Sequence, residues 1–433
     1  MSNTQPSERT TLNNGNFEQV LLKSAVAKDT IDITELVSEI NIFQSIQVPF
    51  ITGNILIVDA IGLLNSLFII GNELITVRYM TLGLDGKRIS QQISFFVTSI
   101  DKIEKESNNT VYGLTLGSLH FVANSSTKIS QAYTGSSSDI IKNIFENQLK
   151  LNEEDYYIEK TPDSLKVIIP NLSIAETLMF ITRRAQGENG TPCFVFEYLD
   201  GSMGFASLEK LYSAGSMFKY YRRTLRTTDP VTTYFDINDL TIDKIGNGYT
   251  NITNGMYAAK VYAFDPLTRQ VLEHDFNLSK AEKSPGNAIL NDIPFSSGVT
   301  INSKPLNELH KSKIFTVITS SDGSNNKKPE ITGVYDGKYD YHTNSEIKVP
   351  YLNSKFLQLE NFVMTINIQG NINIGPGSLI SLVMPSASTS TKDGDALYDK
   401  YFSGEYLVIN VRQTFTAQSH YTTVQLAKDS FRI

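Results

Sequence analysis

Phe96-Val97-Thr98-Ser99-Ile100, followed by Tyr112-Gly113-Leu114-Thr115-Leu116, has a counterpart near the C-terminus. There the chain runs Leu407-Val408-Ile409-Asn410-Val411 and then Tyr421-Thr422-Thr423-Val424-Gln425-Leu426. Alternation of apolar and polar side chains in these runs is the period-two signature of strands with one buried face. The spacing agrees too: 19 positions from Val97 to Leu116, and 18 from Val408 to Leu426. Upstream, Gly53-Asn54-Ile55 and Leu74-Ile75-Thr76-Val77 after Gly71 stand in the same order as Gly370-Asn371-Ile372 and Leu379-Ile380-Ser381-Leu382 after Gly375 and Gly377. The shared order favours duplication of one β-barrel, with unrelated β segments as the competing explanation. Two similar ring-forming domains per chain make a pseudo-sixfold ring from three copies, able to join a sixfold object to a threefold one.

Outward from the repeat, the expected fold class is mainly β with an α+β insertion: two tube-type antiparallel β-barrel domains plus two inserted domains. Residues 1–18 are polar and form a flexible arm. Residues 19–117 make the first barrel, with an Asp-Gly turn at Leu84-Asp85-Gly86-Lys87 and a second turn at Ser107-Asn108-Asn109. Residues 118–212 make an α/β insertion. In it Ser138 caps one helix, and the capping box Ser173-Ile174-Ala175-Glu176 opens another that ends at Gly187. Residues 213–264 and 350–433 make the second barrel. Between them 265–349 form a loop-rich insertion with weak periodicity and turns at Asp265–Thr268, Ser284-Pro285-Gly286 and Ser321–Ser324. A short helix is expected over Tyr351 to Leu359.

Composition narrows the function classes. Of 433 residues, 40% are hydrophobic and 19% charged, which supplies sizeable cores for two to four domains. With 38 basic against 45 acidic residues, the net charge of -7 gives no global attraction to nucleic acid or anionic membranes. Cys193 is the single cysteine, so neither an intramolecular disulfide nor a cysteine metal cluster can form. Met1 to Gln19 has no apolar core of a signal peptide. The most hydrophobic stretch, Ile55 to Ile70, carries Asp59 and Asn65 and falls short of the ~20 apolar residues of a spanning helix. It is expected to be a buried strand, a turn at Asp59, and a short apolar segment.

Signatures of chemistry are weak throughout. His120, His274, His310, His342 and His420 lack metal-ligand spacing, and HExxH, GxSxG, GxGxxG and the phosphate loop are absent. Cys193 enters an apolar run with no cationic neighbour, which suits a buried small residue better than a nucleophile. Ser207-Leu208-Glu209-Lys210 matches SxxK at the level of chance. Asp236-Ile237-Asn238 opens like a calcium loop, but Thr241 and Asn247 stand where glycine and glutamate belong. Glu153-Glu154-Asp155 and Glu104/Glu106 suit a solvated surface, as do Arg183-Arg184. Tyr220-Tyr221-Arg222-Arg223 mixes aromatic and cationic side chains as single-strand binders do. An interface or a solvated strand accounts for it better in an acidic chain. No catalytic residue, metal ligand or cofactor is expected.

Several runs resemble the first domain of T-even-type phage baseplate hub proteins: Ile40-Asn41-Ile42-Phe43-Gln44-Ser45-Ile46, Pro49-Phe50-Ile51-Thr52-Gly53, Ile57-Val58-Asp59 and Ile70-Gly71-Asn72-Glu73. Pro170-Asn171-Leu172-Ser173, Arg183-Arg184-Ala185, Phe196-Glu197 and Phe205-Ala206-Ser207-Leu208 extend the match. Ser403-Gly404-Glu405-Tyr406-Leu407-Val408 is similar to the closing strand of the hub proteins and of VgrG. The resemblance covers most of 35–265 and 350–431 and is weak over 270–348. It implies a homotrimer in a contractile-tail baseplate, seated on the tail tube protein and carrying a trimeric spike protein, among other baseplate or wedge proteins. The chain ends soon after Ser430, so the spike is expected on a separate polypeptide, along with any wall-cutting activity. Genomic DNA would pass through the lumen without specific binding. The implied location is the virion tail, assembled in the host cytoplasm.

Neighbouring barrels are expected to pair strand edges, at Ile93 to Val97 and Leu407 to Val411. Interface candidates are Phe43, Phe50, Ile93, Phe95, Val97, Phe218, Tyr220, Tyr221, Leu407 and Ile409, with a core role as the alternative. A tail-borne cell-wall hydrolase and a glycan- or receptor-binding protein are the rival functions.

Overall fold

The computed structural model describes residues 17–24, 30–82, 88–105, 109–223, 233–246, 248–265, 269–278, 300–301, 304–305, 313–318, 345–386, 398–399 and 401–429. The expected arm before residue 17, the Asp-Gly turn at 84–87, most of the turn at 265–268 and the turns at 284–286 and 321–324 lie outside these residues. So does most of the turn at 107–109.

The first half contains β1 (Phe17–Lys23), β2 (Thr30–Asp32), β3 (Val37–Ser45), β4 (Thr52–Asp59), helix α1 (Leu63–Ser66), β5 (Leu74–Leu82), β6 (Arg88–Lys105) and β7 (Thr110–Gly117). They pair antiparallel in the order β3-β4-β7-β6-β5-β1-β2. Val20 of β1, Ile42 of β3, Ile55 of β4, Val77 of β5, Phe95 of β6 and Leu114 of β7 share one core. A flat sheet could not bring strands from both parts of that path to one cluster, so the sheet curls upon itself. Two carboxylates turn the chain between strands. Buried Asp59 accepts the N–H groups of Ile61 and Leu64, both at 3.1 Å. Buried Glu73 accepts those of Ile70, Gly71 and Asn72 at 2.8, 2.9 and 3.0 Å. Gly71 sits at φ 95, a conformation that penalises any side chain.

The insertion follows with α2 (Leu119–Ser126), β8 (Lys128–Ile129), β9 (Ala132–Gly135), α3 (Ser137–Asn147), β10 (Tyr156–Ile158), β11 (Leu165–Ile168), β12 (Leu172–Ser173), α4 (Ile174–Thr182), β13 (Cys193–Glu197), β14 (Met203–Ser207) and α5 (Leu208–Ser213). The capping box at Ser173 and Glu176 forms as expected. α4 stops at Thr182, before Gly187. The cap of α3 is Ser136, whose Oγ accepts the Asp139 N–H, and Ser138 lies inside the helix.

The second half contains β15 (Ser216–Tyr221), β16 (Ile237–Ile245), α6 (Gly248–Thr253), β17 (Ala258–Asp265), β18 (Gln270–Asn277), β19 (Thr300–Ile301), β20 (Lys304–Pro305), β21 (Lys313–Ile318), α7 (Ser345–Leu359), β22 (Phe362–Gln369), β23 (Leu379–Val383), β24 (Gly404–Thr416) and β25 (His420–Lys428). The path β16-β22-β25-β24-β23-β15 closes where the Tyr221 N–H donates to Phe235 O at 2.9 Å, and Arg223 pairs with Asp236 at 3.0 Å. This ring encloses Tyr220, Met364, Ile366, Ile380, Val408 and Leu426. β17, assigned to the second barrel by the sequence division, pairs instead with β18 and β21 in a separate sheet. The span expected to be loop-rich thus supplies two strands of that sheet. The helix expected from Tyr351 begins earlier, at Ser345, and contains Pro350.

The two halves are stitched by β24. Its residues 404–407 pair with β23, and after a bulge between Val408 and Asn410 its residues 410–416 pair with β3. The result is one 13-stranded sheet running through both barrels. Phe415 of β24 crosses into the core of the first half. It is fully buried, stacks on His420 at 4.1 Å and meets Tyr79 at 5.1 Å. Phe415→Ala should cost about 3–5 kcal/mol in urea unfolding. A change below about 1 kcal/mol would contradict this role.

Candidate functional site

The seam between the halves is the candidate site. Seven opposed pairs run from Asn410↔Ser45 to Thr416↔Glu39. Strand alternation sends Val411, Gln413 and Phe415 inward and leaves Asn410, Arg412 and Thr414 on an outer polar face. There Asn41 Oδ1 accepts from Arg412 Nε and Thr414 Oγ1, each at 2.9 Å. Asn41 Nδ2 donates to Glu39 Oε1 at 2.6 Å and to Asn54 Oδ1 at 2.9 Å. Toward the other end, Asn410 Nδ2 donates to Gln425 Oε1 at 2.6 Å, and Gln425 Nε2 donates to Asp243 Oδ2 at 3.1 Å. Thr115 donates to Asp101 on the first half. On this polar face Arg412 pairs with Glu39 at 3.3 Å, while Asp101 and Asp243 lie farther along the sheet on either side. A groove of about 300 Å³ opens on it, lined by Phe43, Val48, Phe50, Arg412 and Thr365.

The halves on either side are equivalent in strand order and register. β4-β7-β6-β5 matches β22-β25-β24-β23. Val97 opposes Leu116 and Val408 opposes Leu426, with a bulge immediately after each valine. The Val97 N–H donates to Glu73 O at 2.8 Å, as Val408 N–H donates to Ser378 O at 2.9 Å. β3 corresponds to β16, with matching bulges between Val37 and Glu39 and between Ile237 and Asp239. One part of the sequence alignment is corrected. Gly53 opposes Leu116, and the residue opposing Leu426 is Met364, so Gly370, which follows β22, is not the counterpart of Gly53.

Of the two expected edge segments, Leu407 to Val411 is paired on both sides, while Ile93 to Phe95 is paired on one. Ile93 to Val97 lies on β6, flanked by β5 over Ile93 to Phe96 and joined to β7 from Phe96. Leu407 to Val411 lies on β24, between β23 or β3 on one side and β25 on the other. Phe50, Phe95, Val97, Phe218, Tyr220, Leu407 and Ile409 are buried in the chain's own cores, while Ile93 and Tyr221 are half-buried. Phe43 is 37% exposed beneath the Arg412 guanidinium, 5.8 Å from its ring. The Tyr220 to Arg223 run closes the second barrel.

Buried polar groups serve the scaffold. Glu197 of β13 joins the insertion to the first barrel. Its Oε2 accepts the Ile51 N–H at 2.7 Å and Ser118 Oγ at 2.8 Å, and its Oε1 contacts His120 Nδ1 at 2.8 Å. Ser118 bonds the carboxylate and not the imidazole, so this trio lacks the serine–histidine contact of an activated nucleophile. Burial pushes the Cys193 thiol well above its ordinary range, which keeps it protonated and unreactive. Ser207 of the SxxK match caps α5 and donates to Glu159. Among the described residues no group of three or more His, Cys, Asp or Glu side chains could hold a metal, and no helix is long and apolar enough to cross a membrane.

At the seam's end, His420 Nε2 contacts Gln413 Oε1 at 2.9 Å, while Gln413 Nε2 donates to Asn371 O at 3.1 Å. Desolvation pushes the His420 imidazole down to about 3, from 6.5. The folded state therefore holds it neutral. Its contribution is complete above pH 6.5 and is lost as pH falls from 6.5 toward 3, at about 1.4 kcal/mol per pH unit. Between pH 6.5 and 4.5 the native protein should lose about 2–3 kcal/mol more stability than His420→Gln. Parallel urea-unfolding profiles would contradict this.

No protein-family model matches the chain, and no curated protein matches it. Solved structures do. A tail protein from Neisseria meningitidis MC58 aligns over 95% of this chain and 96% of its own, with a TM-score of 0.51 at 12% identity. The 43 kDa tail protein of prophage MuSo2 from Shewanella oneidensis aligns over 95% and 98%, with a TM-score of 0.49 at 8% identity. A chain of the half-lidded Francisella PdpA-VgrG complex scores 0.44, at 8% identity, over 96% of this chain and 59% of that one. The chain has the fold of the Neisseria tail protein over nearly its whole length.

Proposed function

We propose that the chain is a non-catalytic structural hub of a contractile phage tail baseplate. Three copies form a pseudo-sixfold ring that adapts a hexameric tail tube to a separate trimeric spike, beside other baseplate or wedge proteins. The protein belongs to the virion tail and is assembled in the host cytoplasm. The single observation that carries the reading is the seam. Two barrels with the same order of four strands, and the same register and bulge at Val97 and Val408, are joined side by side by strand pairing within one chain. Repeating that step around a threefold axis gives six equivalent barrels. The polar face holds the Glu39–Arg412 pair, with Asp101 and Asp243 farther along the sheet on either side. Facing a lumen, it would let DNA pass without retaining it.

Light scattering on the purified chain, alone and with its spike, tests this. A mass near 145 kDa (about three times 48.3 kDa) in the first case, or threefold stoichiometry in the second, is expected. A monomer in both conditions would overturn the reading.

A further inference from the structure

The equivalence of the halves leaves two strands without the partner that their counterparts have. β24 spends its second half on β3. Its counterpart β6 is paired by β5 only up to Phe96, and among the described residues no strand lies on that side of Thr98 to Lys105. β3 lies between β4 and β24, whereas its counterpart β16 ends the sheet path and, among the described residues, is paired only by β22 along Ile237 to Ile245. Both open edges expose apolar side chains: Ile103 is 50% exposed, Ile242 39% and Ile245 38%. Unpaired backbone lined by exposed isoleucine is a template for another strand.

We propose that these two edges pair with each other between copies, β6 of one chain running antiparallel to β16 of the next, in the register of the internal seam. The proposal rests on the trimeric ring and names the strands and register that close it. The register follows from corresponding positions. Arg412 opposes Thr423 as Asp101 opposes Gly113, and Phe43 opposes Thr52 as Lys244 opposes Val363. Within the chain Arg412 opposes Phe43, so between copies Asp101 opposes Lys244. The neighbouring pair Val411↔Gln44 becomes Ile100 against Ile245, and Phe415↔Ile40 becomes Lys105 against Leu240. The register thus sets one opposite-charge pair, Asp101 against Lys244, and one apolar pair, Ile100 against Ile245, directly across the junction. Asp101, Lys244 and Ile245 have no part in either barrel core, so they are available to it. The continuous sheet would then run unbroken through all six barrels, with no open edge left at either strand.

Paired cysteines test the register. Directly opposed antiparallel residues place their Cα atoms about 4.5–5.5 Å apart, within the range of about 4.4–6.8 Å that a disulfide spans. Within one chain six strands separate β16 from β6 along the sheet, so an internal bridge is out of reach. The full-length chain carrying Asp101→Cys and Lys244→Cys, assembled with its spike where needed, should give a covalent trimer on a non-reducing gel. Reductant should return it to monomer. Each single variant should stay monomeric on the gel, as should Asp101→Cys with Asn238→Cys, displaced along β16. Buried Cys193 does not compete. A threefold mass with no covalent trimer, or equal cross-linking at 238 and 244, would overturn this register while leaving the ring intact. A monomer by mass, with and without spike, would overturn both.

Discussion

The pairing of β24 with β3 is the interaction on which the rest depends. A strand edge presents backbone donors and acceptors that must find partners, and a barrel whose sheet stays open has edges to satisfy. β24 solves this by serving two sheets in turn. Its first residues hold β23, the bulge after Val408 redirects it, and its later residues hold β3. A bulge is suited to this because the extra residue bends the strand and increases its twist locally. Phe415 then sits in the first core although it belongs to the second half of the chain. The two barrels are therefore coupled through backbone pairing, side-chain packing and the Asn41–Arg412 hydrogen bonds together.

Much of this fold was legible where one physical rule acted alone. Period-two alternation located the strands of the β6–β7 and β24–β25 hairpins, because one-residue slips would turn buried valines and leucines outward; Val97–Leu116 and Val408–Leu426, compared in the sequence only for their spacing, are opposed pairs in the structure. The capping box at Ser173 was legible because its two reciprocal bonds require those residues at that spacing. The Ile-Gly-x-Glu and strand-ending Asp runs proved to be turns organised by buried Glu73 and Asp59.

Other features were not legible, for identifiable reasons. The Gly-Asn-Ile coincidence at 53 and 370 misled, because a short match carries no register. β17 and β18 were missed as a separate sheet because β18 is largely exposed and shows little alternation. Most of the interface candidates lie in the chain's own cores because a hydrophobic residue central to a strand is selected by the core first, as at Phe95 and Leu407. The open edges of β6 and β16 carry charges and isolated isoleucines, a composition that any solvated strand shares. Only comparison of the two halves in three dimensions reveals them as unpartnered.

The central claim is that the step joining the two barrels inside one chain is repeated between chains. Cryo-electron microscopy of the assembled hub with its spike tests it most directly. The account predicts six barrels around a threefold axis, with strand density continuous from β6 of one copy into β16 of the next at the spacing of the β3–β24 seam. A threefold particle whose barrels meet through loops or helices, with both edges open to solvent, would contradict it.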